Sequence, residues 1–306
     1  MDLVVSIAIG IIIAATPLVF AAIGELVVEK AGVLNLGVEG MMIIGAISGF
    51  AVTIETGSFL AGVIAAILCG ALMALLFAFM TQTLLANQVA TGLALTLFGL
   101  GLAALIGQAY SGKSAPPFPK LAVPGLSDIP VLGRLLFSHD LLVYISFALV
   151  IGVAWFLSRT REGLIVRAIG ENHDAAHAIG YSVVGYRYAA IAFGGACAGL
   201  GGAYLSIVQT PLWVDNMTAG RGWIALALVV FAAWRPWRSL FGAYLFGGIT
   251  IMQLHSQALG VQVEPQLLAM LPYLATILVL VIISYDRTRA RLNAPASLGL
   301  TFYATT

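Results

Sequence analysis

The chain has 306 residues, 61% of them hydrophobic and only 9% charged, with a formal net charge of +1 and a mean hydropathy of +1.03. A soluble domain carries roughly 25% charged residues, so this composition specifies an integral membrane protein of many helices. The apolar runs are long and continuous, which excludes a membrane barrel, and the near-neutral charge offers nothing to a nucleic acid.

The first apolar run, residues 3–24, lacks a basic leader and reads as a retained span rather than a cleaved signal. It runs into GELVVEKAGVLNLGVEGMM (24–42), which holds Glu25, Glu29, Lys30, Asn35 and Glu39 among glycines 32, 37 and 40. Charge and amide are costly near hydrocarbon, and glycines let the backbone bend, so the stretch reads as a broken helix at a membrane boundary. Further spans are expected at 37–54, 58–80, 87–109, 140–158, 188–209, 222–234, 239–255 and 268–285, nine in all. The run at 222–234 and the one at 239–255 fall short of the ~20 residues needed to cross hydrocarbon. Pro17 and Pro272 fall within spans, where neighbouring helices can satisfy the freed backbone groups.

Lys and Arg set the orientation. Lys30, Arg159, Arg161, Arg167, Arg187, Arg235, Arg238, Arg287, Arg289 and Arg291 fall on one side, and Lys113, Lys120, Arg134 and Arg221 on the other. The excess marks the cytoplasmic face, so the N-terminus lies outside and the C-terminus inside. The chain then forms one transmembrane domain over 1–306. It has an extracytoplasmic loop at 111–139, Pro-rich with a short helix near Val131–Phe137, and a structured cytoplasmic loop at 159–187.

Several motifs have a plain reading beside a functional one. GQAYSGKS (107–114) satisfies the pattern of a phosphate-binding loop, but a membrane helix precedes it and Ala115-Pro116-Pro117 follows, the wrong setting for a nucleotide site. Gly99-x-Gly101-x-x-Ala104 lies mid-span with no sheet and reads as helix packing. Gly45-x-x-x-Gly49 and Gly195-x-x-x-Gly199 are small-residue spacings that let helices approach closely. Cys69 and Cys197 read as small buried hydrophobes. Metal-ligand clusters and catalytic triads are not evident, and an ionisable group mid-span, which an ion-coupled carrier would show, is approached only by Glu39. Asn87, Gln88, Thr91 and Thr96 fall at the start of the fourth span, with 88, 91 and 95 or 96 on one face; they either line a polar path or bind helices together. Trp213, Trp223, Trp234 and Trp237 lie near span ends, where interface anchors belong.

In the loop at 159–187, Asn172 is a good N-cap and Gly180 a good helix stop. The enclosed helix, His173–Ile179, is marginal alone in water at about 10 Å. Ala175, Ala176 and Ile179 give it a small apolar face that suits either a docking partner or its own membrane domain.

Four segments carry a family resemblance. Glu29–Met42 resembles the signature near the N-terminus of permeases of bacterial ABC importers in the branched-chain amino acid, simple-sugar and nucleoside group. Ala86–Leu95 is similar to the fourth-span segment of the smaller nucleoside-type permease, and Gly220–Ala227 resembles the same subgroup. Ala168–Asn172 with Ala175, Ala176 and Gly180 resembles the group's coupling loop.

The resemblance covers about 15–285. It implies a fold like the cobalamin-type importers with the first of ten helices missing, and a membrane dimer, here a heterodimer with a larger sister permease. Two cytosolic ATPase domains that use ATP and Mg and an extracytoplasmic solute-binding protein complete the system; this chain itself holds no cofactor and no metal. It implies coupling to the ATPase through Arg167, Gly170, Glu171, Asn172 and Gly180, and a translocation path past Asn35, Glu39, Asn87, Gln88 and Thr91. Two positions depart from the family pattern: Thr96 stands where asparagine is common, and His173 where proline is common. The expected function is import of nucleosides or related nucleobase compounds, with simple sugars or branched-chain amino acids as alternatives. An ion-coupled carrier is the rival from another class.

Overall fold

The computed structural model describes residues 2–119, 121, 132–258 and 294–303, together with isolated positions 270, 274, 277, 278 and 281. The described residues form helices and turns without a strand. Ser114 and Leu212 make an isolated bridge. The helices are α1 (Asp2–Lys30), α2 (Val38–Thr56), α3 (Phe59–Ala78), α4 (Gln88–Gly107), α5 (Leu132–Leu136), α6 (Leu141–Arg159), α7 (Arg161–Glu171), α8 (His173–Ala178), α9 (Val183–Ala203), α10 (Arg221–Phe231) and α11 (Pro236–Ala258). π-turns at Phe79–Thr83 and Tyr204–Gln209 extend α3 and α9.

Among the described residues six helices, α1, α2, α3, α4, α6 and α9, are long and apolar enough to cross a membrane. α5 falls where a short helix was expected. The expected ninth span, 268–285, lies outside the described residues apart from the isolated positions named above.

Local sequence explains most boundaries. Asn87, Asp140, Thr160 and Asn172 each accept a hydrogen bond from the backbone N–H three residues on, at 2.9–3.1 Å, and so start α4, α6, α7 and α8. Gly57 ends α2 in the left-handed region at φ 68°.

The centre of the bundle is α2 and α9, each 78% buried along its most apolar stretch. They cross α3 at glycines. A Cβ on Gly45 would collide with the Gly199 backbone, one on Gly70 with the Gly195 carbonyl, and one on Gly199 with the Ala66 carbonyl. Both small-residue spacings seen in the sequence therefore work as close helix crossings. The outward faces of α3, α4 and α6 carry exposed apolar side chains such as Leu72, Leu97 and Ile151, as lipid-facing helices require.

The phosphate-loop pattern at Gly107–Ser114 follows a helix, not a strand, and a Cβ on Gly107 would collide with the Trp213 indole. Lys113 lies over the Tyr110 ring at 4.8 Å. Of the four tryptophans expected as interface anchors, Trp223 and Trp237 are exposed. Trp213 and Trp234 are instead buried, each donating its indole N–H to a carboxylate, of Asp215 at 3.2 Å and Glu29 at 2.6 Å. An indole N–H inside a bundle needs an acceptor, and both found one there.

Candidate functional site

After α1 the chain turns at Gly32 (φ 83°) and climbs back along α4. Leu34 donates its N–H to Gln88 Oε1 at 2.9 Å, and a Cβ on Gly92 would meet the Leu36 and Gly37 nitrogens at 2.8 and 2.9 Å. Higher up, a Cβ on Gly99 would meet Gly40 Cα at 2.8 Å. From Gln88 to Gly99 this is a climb of about 16 Å at ~1.5 Å per residue. The start of α2 therefore sits deep among the helices, not at their ends.

Asn35 makes the climb possible. It is fully buried, its Oδ1 accepts from Gly37 N–H at 2.9 Å, and its own N–H donates to Glu25 Oε1 at 3.3 Å. Thr96, the departure from the family pattern, donates its hydroxyl to the Leu36 carbonyl at 3.1 Å.

At that depth α2 meets a second broken element. After α9 the chain passes through positive-φ residues Asn216, Ala219 and Gly220, then starts α10. α10 has only 11 residues, about 16 Å, or half the ~30 Å of a hydrocarbon core. Expected at 222–234 as a run too short to cross hydrocarbon, it is a half-length helix whose N-terminus lies inside the bundle. Gly220 supplies no side-chain cap. Glu39 does so from α2: Oε1 accepts from the Thr218 hydroxyl at 2.5 Å and Gly220 N–H at 2.8 Å, and Oε2 from Gly222 N–H at 2.6 Å. A carboxylate at a helix N-terminus also meets the positive end of its dipole. Gly222 is required there, since a Cβ would lie 2.5 Å from Glu39 Cα.

A pocket of about 620 Å³ opens beside this junction, lined by Glu39, Leu100, Asn216, Gly220, Trp223 and Ile277 among others. Its chemistry is an exposed indole face, an amide and backbone polar groups. That set can stack a flat or ring-shaped polar solute and hydrogen-bond its edge.

The expected path residues thus separate. Asn35, Glu39, Gln88 and Thr91 are buried along the seam between α2 and α4, with Glu39 reaching the pocket, whereas Asn87 is exposed and caps α4. Gln88 Nε2 and Glu25 Oε2 are buried without a hydrogen-bond partner among the described residues.

The other cluster lies where α1 ends. Asn172, Glu171 and Gly180 are exposed around α8, and Gly180 has φ 94°. Gly170 is buried instead: a Cβ would collide with the Lys30 carbonyl, and its own carbonyl accepts from Ser297 N–H at 2.8 Å. Arg167 is half-buried, its Nε unpartnered among the described residues. α8 rests on Ala176, which joins Ile165, Ile169, Val183 and Phe302 in a small core, and on the buried His173 beside Phe302. Ala175 and Ile179 face outward, Ile179 being 72% exposed.

Beneath α8 sits Arg187, fully buried. Its guanidinium donates to the Ala31 carbonyl at 3.2 Å, Gln82 Oε1 at 3.4 Å and the Leu300 carbonyl at 3.2 Å, and lies 3.1 Å from His173 Nδ1. One side chain ties together the end of α1, the π-turn after α3, the C-terminal segment 294–303 and α8. For His173 Nδ1 to accept from Arg187 the ring must be neutral. Burial, then the Arg187 charge, hold its pKa below the ordinary 6.5, against an opposing pull from Asp174. Phe302 packs edge-on against both His173 and His177, with ring centroids 5.4 and 5.2 Å apart.

The profile of the family described as "Branched-chain amino acid transport system / permease component" matches residues 7–283. The chain belongs to this family. It is similar to a Haloferax volcanii protein provisionally named a glucose ABC transporter permease, TsgC13, at 40% identity over 93% of both chains. It is similar to the guanosine ABC transporter permease NupQ of Bacillus subtilis at 34% identity, covering 87% of this chain and 88% of that one. The nucleoside ABC transporter permease NupC of Lactococcus lactis is 32% identical, over 89% and 90%. No solved structure matches.

This ABC permease is accordingly a multi-pass membrane protein, which in a bacterium places it in the inner membrane, and a transport component rather than an enzyme. Sequence reading missed Arg187, counted only as a loop charge, and Thr218, Gly222 and Trp234. A signal for the first was present: Arg187 lies four residues into an otherwise apolar run, where an unpaired cation is costly and a buried partner set is implied.

Proposed function

We propose that this permease is the membrane subunit of an importer for nucleosides or related nucleobase compounds. It would pair with a larger sister permease as a heterodimer and be driven by cytosolic ATPase subunits. Solute would arrive from an extracytoplasmic binding protein and pass the pocket at Glu39, Asn216 and Trp223. The charge asymmetry supports a cytosolic α8, where its outward Ala175 and Ile179 would offer the ATPase a small apolar knob framed by Glu171, Asn172 and Gly180.

The observation that carries the reading is the Arg187 junction. It ties a short exposed helix rigidly to the ends of membrane helices, as a part that receives force must be tied. Gly170 then acts as a packing position and Arg167 as part of the charged rim near Lys30 and Glu171. A simple sugar is the second reading, favoured by the 40% identity to the Haloferax protein named for glucose.

The test is a reconstituted system with the ATPase, the sister permease and the binding protein. Uptake of labelled guanosine, with glucose failing to compete, is the expected result; the reverse selects the sugar. Ile179→Glu should abolish solute-stimulated ATP hydrolysis while the permease stays folded. Normal stimulation in that variant, or uptake by this chain alone driven by an ion gradient, would overturn the reading.

A further inference from the structure

α6 and α9 both pack against α1, yet hardly touch one another, and a crevice of about 570 Å³ remains between them. Its floor is Val27 of α1, and its walls include Ala148, Gly152 and Phe156 of α6 and Ala189 and Phe193 of α9. Among the lining residues only Glu162 and Tyr186 are polar, and they satisfy each other, the Tyr186 hydroxyl donating to Glu162 Oε2 at 2.6 Å. This pair closes the crevice at the α7 end. The other lining groups ask for no hydrogen bond, so a polar solute would lose its hydration there without return.

The crevice fits a lipid chain by position as well as by chemistry. It opens beside the exposed face of α6, where Ile151 and Trp155 are 54% and 60% exposed. From Ala148 to Phe156 it runs about 12 Å at ~1.5 Å per residue, close to the ~15 Å hydrocarbon depth of one leaflet. At its α7 end, Arg159 and Arg161 are both exposed, at the level where a headgroup would sit. Glycine at 152 leaves the wall open: a Cβ there would meet nothing within 4 Å.

We infer that the crevice is a binding site for one acyl chain of an anionic phospholipid, its headgroup held by Arg159 and Arg161. The occupant props α6 against α9 and supports Val166, the apolar α7 residue that faces it. This does not depend on which solute the permease carries.

The full chain, purified in a mild detergent, is titrated with phosphatidylglycerol or with phosphatidylcholine of the same chains and read by native mass spectrometry. The wild type should retain one tightly held phosphatidylglycerol, preferred roughly tenfold or more, since each arginine near a lipid surface favours anionic headgroups. Gly152→Leu adds a side chain at a position whose Cβ meets nothing within 4 Å, and should lose that lipid while keeping its thermal unfolding temperature. Ala189→Leu fills the opposite wall and provides a second variant if the first folds poorly. Arg159→Gln with Arg161→Gln should keep a bound lipid but lose the preference for phosphatidylglycerol. Retention unchanged in both wall variants, or no headgroup preference in the wild type, overturns the inference. So does a crosslink from position 152 to another polypeptide, which would give the crevice to a protein.

Discussion

Replacing Arg187 with lysine keeps the buried charge and removes the fork. The guanidinium reaches the Ala31 and Leu300 carbonyls, Gln82 Oε1 and His173 Nδ1, four acceptors on four separate segments. An ammonium is a compact point charge and cannot span them. If only two of these contacts are lost, at about 1.5 kcal/mol each for charged hydrogen bonds, local stability of the α8 layer falls by about 3 kcal/mol. At ~1.4 kcal/mol per decade this is roughly a 100-fold rise in opening. Hydrogen–deuterium exchange followed by mass spectrometry reads it directly. Peptides covering 172–181 and 296–303 should exchange faster, because Ser297 and Gly299 N–H groups are held by the Gly170 and Gly32 carbonyls beside the arginine. The interior of α3 should not change. Arg187→Met, which orphans every acceptor, should open the same segments at least as far. Exchange within about threefold of wild type in both segments, roughly 0.7 kcal/mol, would refute the role of Arg187 as the tie.

The remaining predictions are shorter. His173 has a folded pKa held below its ordinary 6.5, so its contribution is complete above the unfolded value and is lost as pH falls through the folded one. Exchange at 296–303, relative to the intrinsic rate, should therefore speed up as pH falls below the ordinary histidine value, and His173→Gln should flatten that dependence; a flat wild-type profile counts against it. Glu39→Ala leaves Thr218, Gly220 and Gly222 donors without their acceptor and should destabilise by about 3–6 kcal/mol. Glu39→Gln should cost about 1–3 kcal/mol, so thermal unfolding of the two should rank Gln above Ala, and equal values would remove the capping role. Gly199→Val puts a side chain into the Ala66 carbonyl and should cost at least 1–3 kcal/mol by overpacking; an unchanged unfolding temperature would be the contrary result.

The sequence made helix starts and crossings legible because their causes are local. Asn172 as cap, Gly180 as stop, and the glycine spacings at 45–49 and 195–199 act through neighbours within a turn or through the absence of a side chain. α10 was not legible in the same way. Its run of apolar residues looks like any short span, and its N-cap comes from Glu39, some 180 positions earlier, which no local pattern can announce. The site residues divide along the same line. Glu39 attracted attention as a charge in an apolar setting, and its partners are the Gly220 and Gly222 amides and the Thr218 hydroxyl. Asn87 and Gln88 stand side by side in sequence, yet one caps a helix at the surface and the other is buried against Leu34. Only the packing of α4 decides which is which.

α10 is held at both ends by glutamates from other helices, Glu39 at its start and, just beyond its last turn, Glu29 through the Trp234 indole at 2.6 Å. Glu29 belongs to the last turn of α1, two residues before the Ala31 carbonyl that Arg187 grips. A displacement of α8 therefore has a short solid route through Arg187 and the end of α1 to α10, and so to the pocket beside Glu39. Trp234→Phe keeps the ring packing and removes the one donor, which should cost about 1–3 kcal/mol for a buried acceptor left without that bond. If the route carries coupling, solute uptake per ATP should fall in the reconstituted system while basal ATP hydrolysis persists, because α8 and its docking face are untouched. Combining Trp234→Phe with Glu29→Leu, which removes the acceptor, should do no more harm than the worse single change, since each breaks the same bond. Strictly additive losses, or full uptake in Trp234→Phe, would mean that motion reaches α10 by another way.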